Sequence, residues 1–413
     1  MEIPGQRYLS DELSRSIRDE AKMAFVAGPR QVGKTTLARR LLMDAGTDEL
    51  YFNWDIEAHR KLLIRHPGDF WQRGETSKAK DSPRIVLDEI HKFPRWKRFV
   101  KGLYDEHGKT VEIIVTGSGR LDIFQRGGDS LFGRYNLFRV HPFTLGELLA
   151  DDRNSVRPPK EFWETLMLRI SDKRAGPLMK DLEGLTGFPE PLFSGSMARL
   201  RRWRQAHRTL VLGEDIRDLT RIRDIGLVET LGLLLPERVG SPLSMNALSE
   251  DLGVNFATVK GWIGTLSRLY YIFRVKPYAG RLSRTLRAAE KVYLFDPTEI
   301  ENPGSRFENL VALHLRKLVD AWTDWGFGEF DLHYVRDREK REVDFLITDR
   351  RKPYALVEAK LTARDVDSNL LYFAERLKPR YSVQVVRNPE GFKSTMTTSG
   401  VILSPASEFL ALI

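Results

Sequence analysis

Residues 22–43 read KMAFVAGPRQVGKTTLARRLLM. Met23 to Ala27 is a short apolar run ending at a glycine, the pattern of a buried strand, and TLARRLLM after it has helical spacing. Between them lies Gly28-x-x-x-x-Gly33-Lys34-Thr35, the full spacing of a phosphate-binding P-loop between strand and helix. Each part has a physical task. Gly28 and Gly33 let the backbone turn tightly around phosphate, Lys34 brings a point charge to the β and γ phosphates, and the Thr35 hydroxyl is expected on Mg²⁺. Gly28, Pro29, Arg30, Gln31, Val32, Gly33, Lys34, Thr35 and Thr36 are therefore expected to hold ATP, with Mg²⁺ as its companion.

Outward from this loop, the same theme repeats. LYFNWD from Leu50, RIVLDE from Arg84, VEIIVTGS from Val111 and YNLFRV from Tyr135 are each plausible buried strands, separated by helical or loop sequence. Such alternation implies α/β architecture, a mostly parallel sheet with helices on both faces. The strand IVLDE delivers Asp88 and Glu89 at its exit; Asp88 is expected to hold the water shell of the metal and Glu89 to polarise the attacking water. Ser118, at the tip of the next strand, is either a γ-phosphate sensor or a turn serine between Gly117 and Gly119. Arg134 is either an arginine finger acting on a neighbouring subunit, which implies a homo-oligomer, or a structural arginine.

The set GPRQVGKTT, IVLDEIHKFPRW, IIVTGSGR, SLFGRYNLFRVHPFTLGEL and GFPEPLF resembles the prokaryotic AAA-type ATPases that carry a C-terminal domain of unknown function, and the resemblance runs nearly end to end. It implies relatives among the archaeal-type and STAND ATPases, with a lid whose Gly-x-Pro element lies near the nucleotide. That element maps onto Gly187 and Pro189, where this chain has Thr186-Gly187 in place of two glycines.

Composition sets the outer bounds. At 413 residues the chain is long enough for two or three domains. Hydrophobic residues make up 41% and charged residues 30%, and no apolar stretch suggests a membrane span. The opening MEIPGQRYLSDELSR carries acids and no apolar signal core, so a cytoplasmic protein with no membrane partner is expected. The absence of cysteine excludes disulfides, thiolate nucleophiles and thiolate zinc sites. A net charge of +9 suits a polyanionic partner such as DNA, although many cytoplasmic proteins are mildly basic.

Beyond the first 150 residues the expected organisation is a helical lid over 151–235, a winged-helix-like middle over 236–295 and a restriction-endonuclease-like α/β domain over 296–413. The arginine-dense segment RLRRWRQAHR, with Arg201 and Arg202, lies in the lid stretch. In the middle, SPLSMNALSEDLGVNFATVKGWIGTLSRLYYIFRVKPY reads as helix, turn at Gly253, helix, then hairpin. Leu248, Leu252, Val254, Val259 and Ile263 form its core face, and YYIFRVKPY is a candidate wing. In a DNA-binding reading the second helix presents Asn255, Thr258, Lys260 and Trp262 to a groove; winged helices also serve as protein interaction modules.

The last domain resembles the PD-(D/E)xK nucleases. Asp344 stands before one apolar strand, and Glu358 and Lys360 exit the next on alternate residues that point the same way. The resemblance implies that Asp344 and Glu358 bind Mg²⁺, that Lys360 orients or activates water, and that Glu308 from an upstream helix completes the site. No cation other than Lys360 is evident beside Asp344 and Glu358, so the two carboxylates are expected to need a metal between them. Such folds also persist as silent binding modules. Three functions follow: an ATP-driven motor or switch acting on structured DNA, a regulatory nucleotide switch with a protein partner, and an ATP-gated nuclease.

Overall fold

The computed structural model describes residues 7–72, 82–117, 131–150, 156–168, 172–219, 224–278, 289–363, 365–388, 391 and 393–413. The described residues divide into two compact units, one over 7–141 and the other from 142 to the end of the chain.

In the first unit, strands β1 (Met23–Ala27), β2 (Tyr51–Asn53), β3 (Arg84–Asp88), β4 (Glu112–Gly117) and β5 (Tyr135–Arg139) form one parallel sheet in the order β2-β3-β4-β1-β5. Every residue of β1 and β3 is buried, as continuous apolar runs covered on both faces require. On one face Phe25, Ile85, Leu87, Ile113 and Val115 pack with Trp96, Val100 and Leu103 of helix Trp96–His107. Because every strand runs the same way, Ala27, Asp88 and Gly117 all finish at one edge of the sheet, where the loops of the candidate site begin. β4 stands between the P-loop strand and the acid-bearing strand, so a residue of β4 lies beside Asp88: its register partner is Thr116.

The second unit is built on an eight-stranded sheet. Its strands are β6 (Ile272–Pro277), β7 (Lys291–Leu294), β8 (Phe330–Arg336), β9 (Glu342–Asp349), β10 (Lys352–Lys360), β11 (Tyr381–Val386), β12 (Thr395–Met396) and β13 (Ile402–Pro405). They are ordered β12-β13-β11-β10-β9-β8-β6-β7. β8, β9 and β10 form an antiparallel meander, and β10, β11 and β13 run parallel. The long helix Pro303–Asp324 starts sharply because Asn302 caps it, accepting from Ser305 N at 3.0 Å, and Pro303 follows at the first helical position.

The described helices between 159 and 234 fall in the same compact unit as the C-terminal sheet. Trp163 of helix Pro159–Met167 stacks on Tyr381 of β11 with ring centroids 4.5 Å apart, and Glu183 of helix Ala175–Leu185 accepts from Nε and Nη2 of Arg387, each at 2.6 Å. The hairpin read as a wing is also not free: β6 pairs with β7, and its end pairs with β8 through Lys276 with His333 and Pro277 with Tyr334. A strand with an unpaired edge beside a sheet gains hydrogen bonds by joining it, which sequence periodicity does not reveal. The helix pair itself forms as read, Met245–Leu252 and Phe256–Arg268, with Gly253 at φ 65° between them.

Among the described residues no helix is long and apolar enough to cross a membrane.

Candidate nucleotide site and C-terminal acid cluster

The P-loop takes its shape from two glycines. At Gly28 a Cβ would fall 2.3 Å from Val140 O, and Gly33, at φ 99°, occupies left-handed backbone that opens helix Lys34–Ala45. Buried Arg7 adds a staple, donating to Val32 O at 2.9 Å and to His141 O at 2.7 Å. Pro29 and Val32 are buried, Arg30 is half-buried, and Gln31, Thr35 and Thr36 are exposed on the loop and first turn. The Lys34 ammonium donates to Gly28 O at 2.9 Å and Pro29 O at 2.6 Å, so the loop closes around the cation that phosphate oxygens would otherwise engage.

Across from it, Asp88 is a hub. Thr35 Oγ1 donates to Asp88 Oδ2 at 2.9 Å, Tyr51 OH donates to the same oxygen at 2.5 Å, and Thr116 Oγ1 donates to Oδ1. Burial, and then the bond to Asp88, push the Tyr51 phenol up to about 12, so it stays a donor. The Thr35 hydroxyl and the Asp88 carboxylate are hard oxygen donors meeting beside the phosphate loop, which fits Mg²⁺. Glu89 follows in left-handed backbone, φ 55°, with its amide donating to Thr116 O at 3.1 Å. Burial raises its carboxyl above the ordinary range against the opposing pull of Lys34 and Lys92, and its buried Oε2 has no hydrogen-bond partner. Such a carboxylate is suited to accept a proton.

Tyr51, Thr116 and Arg7 were missed in the sequence. The signal for Thr116 was present: in a parallel sheet with neighbouring strands ending together, the residue before Gly117 must lie beside Asp88. Ser118, expected as either a γ-phosphate sensor or a turn serine, lies outside the described residues.

Arg134 is at the opposite edge of the sheet from the P-loop, since its carbonyl accepts from Met23 N at the start of β1. Its guanidinium pairs with Asp105 at 2.6 Å. Gly187 and Pro189 lie in the second unit, where Gly187 O accepts from Phe143 N at 2.7 Å and Pro189 opens helix Pro189–Ser194.

The arginine run forms helix Met197–Arg208 and splits by face. Arg199, Arg201 and Arg202 are exposed, whereas Arg204 donates to Thr298 Oγ1 at 2.6 Å and Arg208 pairs with Glu299 at 2.5 Å. On the second helix of the pair, Lys260 is exposed and Asn255 is the helix cap, its Oδ1 accepting from Thr258 N at 2.8 Å and Thr258 Oγ1 at 3.1 Å. Trp262, expected to face a groove, is instead 5% exposed and part of the core; the helical period turns it to the side of Val259 and Ile263.

In the C-terminal sheet, Asp344 and Glu358 come together: Asp344 N donates to Glu358 Oε2 at 3.1 Å, and Ala359 N donates to Asp344 Oδ2 at 3.0 Å. Lys360 pairs with Glu358 at 2.7 Å and with Asp367 at 3.0 Å. Glu308 joins through a residue not anticipated, Lys291. Its fully buried ammonium lies 2.7 Å from Glu342, 3.3 Å from Glu308 and 3.6 Å from Asp344. The expectation that only Lys360 offers a cation here is thus corrected, because β7 is distant in sequence and reaches the acids only through the sheet edge. Burial, then the Asp344 charge, push Glu308 up to about 7 and Glu358 up to about 8. Among the described residues no group of three or more histidine or acidic side chains is disposed to hold a metal ion. With the Lys291 ammonium already among these carboxylates, the residues of this cluster do not fit the metal expected of them.

Residues 20–149 match a family model described as an AAA domain, and the parallel sheet and the Gly28–Thr35 loop of the first unit agree with that match. Residues 185–298 and 303–407 match two domains of unknown function, DUF8612 and DUF4143. Two uncharacterized proteins, from Mycobacterium bovis and Mycobacterium tuberculosis, are each 21% identical over 367 residues, covering 87% of this chain and 74% of their own. Among solved structures, the Aeropyrum pernix Orc1 protein in complex with DNA has a TM-score of 0.34 at 16% identity, covering 74% of this chain and 92% of its own. AMPPCP-bound DnaA from Aquifex aeolicus has a TM-score of 0.28 at 14% identity, covering 62% and 88%. At these scores the likeness carries no argument about partners.

Proposed function

We propose that this chain is an ATP hydrolase working as a nucleotide-driven switch on nucleic acid. The observation that carries the reading is the convergence of Lys34, Thr35, Asp88, Thr116 and Glu89 at one edge of the parallel sheet. Lys34 would leave the loop carbonyls for the β and γ phosphates. Thr35 and Asp88 would hold Mg²⁺, which supplies neutralisation of phosphate charge. Tyr51 and Thr116 fix the Asp88 carboxylate by donating to it, and Glu89 takes a proton from the attacking water. Arg134, on the far edge, acts only in a neighbouring copy.

Nucleic acid is the partner that the exposed Arg199, Arg201, Arg202 and Lys260 favour. A second reading, a switch with a protein partner, is favoured by the burial of Trp262 and by the internal pairing of Arg204 and Arg208, which leave fewer groups for phosphate.

ATP hydrolysis by the pure chain with and without single-stranded, duplex and four-way-junction DNA separates the readings. Stimulation that weakens with salt supports nucleic acid; no binding to any form at low salt supports the protein partner. Lys34→Ala should abolish tight ATP binding, and Glu89→Gln should bind ATP yet turn over about 10²–10⁴-fold more slowly. Near-native hydrolysis by both variants would sink the assignment.

A further inference from the structure

We propose that Lys291 is a resident cation occupying the place of a divalent metal, so that the C-terminal acid cluster is closed to metal ions and the sheet does not cleave phosphodiesters. The inference is independent of the nucleotide site and of the partner.

Its position carries the argument. One ammonium, 0% exposed, has carboxylate oxygens of Glu342, Glu308 and Asp344 at 2.7, 3.3 and 3.6 Å. A divalent ion such as Mg²⁺ needs about six oxygens near 2.1 Å, several of them water. It would have to share these acids with a positive charge a few ångströms away, where repulsion in a buried site is strong.

Lys291 is also not free to leave. Its backbone is held on both sides, paired with Val275 of β6 and bridged to Pro242. Without carboxylates a buried ammonium would be left desolvated and unpaired.

The acids are committed too. Tyr293 OH donates to Glu308 Oε1 at 2.7 Å, and Gly240 packs so closely that a Cβ there would come within 2.7 Å of Glu308 Oε2. Arg336 donates to Glu342 Oε2 at 2.9 Å. Ala359 N takes Asp344 Oδ2, and Lys360 holds Glu358. Every carboxylate of the expected metal site thus has a protein donor, and the cation at its centre is a side chain.

The test is Mn²⁺ binding to the full chain without nucleotide, read by the electron paramagnetic resonance of free Mn²⁺ and by thermal unfolding. Wild type and Asp344→Asn should take up the same Mn²⁺, with unfolding temperatures that the metal does not raise. Lys291→Met keeps the apolar stem and removes the charge. It should gain a Mn²⁺ site and a metal-dependent rise in unfolding temperature, both lost in Lys291→Met combined with Asp344→Asn. A folded Lys291→Met chain that gains no Mn²⁺ would overturn the idea that the lysine stands in for a metal. Saturable Mn²⁺ uptake by wild type that Asp344→Asn abolishes would overturn it as well, and so would Mg²⁺- or Mn²⁺-dependent nicking of supercoiled plasmid lost in Asp344→Asn. Should Lys291→Met fail to fold, the wild-type and Asp344→Asn titrations and nicking assays decide alone.

Discussion

At the scale of single residues, the most informative groups are carboxyls whose surroundings set their charge. Glu358 and Glu308 are raised to about 8 and about 7 from an ordinary 4.5, burial being the main cause. An acid whose folded pKa exceeds its unfolded value holds its proton more tightly when folded. The stability contributed by that proton is complete below about 4.5 and is lost as pH rises through about 7 and then about 8. The unfolding temperature should therefore fall between weakly acidic and weakly alkaline pH, and Glu358→Gln, which keeps a neutral side chain at every pH, should flatten the fall. Equal slopes in wild type and variant across that window would show that Glu358 titrates normally. Protons and two lysines together explain how converging acids coexist: the repulsion anticipated from Asp344 and Glu358 is relieved by Lys291, Lys360 and protonation.

At the scale of elements, helix Met197–Arg208 divides one basic run between two faces. A period of 3.6 places Arg204 and Arg208 on a face with acids of the 296–299 segment, while Arg201 and Arg202 point to solvent. Arg208→Ala leaves Glu299, almost fully buried, without its guanidinium, and should destabilise the chain by about 3 kcal/mol. On the proposed nucleic-acid reading, Arg201→Glu and Arg202→Glu should leave the unfolding temperature nearly unchanged but weaken DNA binding and lower its dependence on salt. Thermal denaturation and binding titrations at two salt concentrations check both halves. A reversed pattern, with Arg208 controlling affinity and Arg201 stability, would contradict the division. The helix pair forms as its sequence pattern implies because its determinants are local: Gly253 ends the first helix, while Ser244 and Asn255, which the sequence reading did not single out as caps, accept from Ala247 N at 3.2 Å and Thr258 N at 2.8 Å.

At the scale of the whole molecule, the placement of Arg134 bears on the proposed oligomer. It stands at the edge of the sheet remote from its own P-loop, so a finger role, if Arg134 has one, is exerted on the site of another copy. Removing such a finger costs about 10³ in turnover without loss of ATP binding. Mixing Arg134→Ala with Lys34→Ala chains should then restore part of the hydrolysis that neither shows alone. Co-assembly of the two variants with no recovery would leave Arg134 as the surface partner of Asp105.

The sequence by itself determined what local chemistry and period can determine: the five parallel strands, the loop from Gly28 to Thr35, the acids at the exit of β3, and the helix pair broken at Gly253. Each depends on residues within a few positions of one another. Tertiary structure alone decided which distant groups meet. Thr116 and Tyr51 reach Asp88 through strand order, Lys291 reaches Glu308, Glu342 and Asp344 because the hairpin joins the edge of the C-terminal sheet, and Trp262 turns inward with its helix. The physical reason is the same in each case. Strand pairing and burial are settled by the free energy of the folded whole, so a side chain's neighbours across a sheet leave no mark at its own place in the chain.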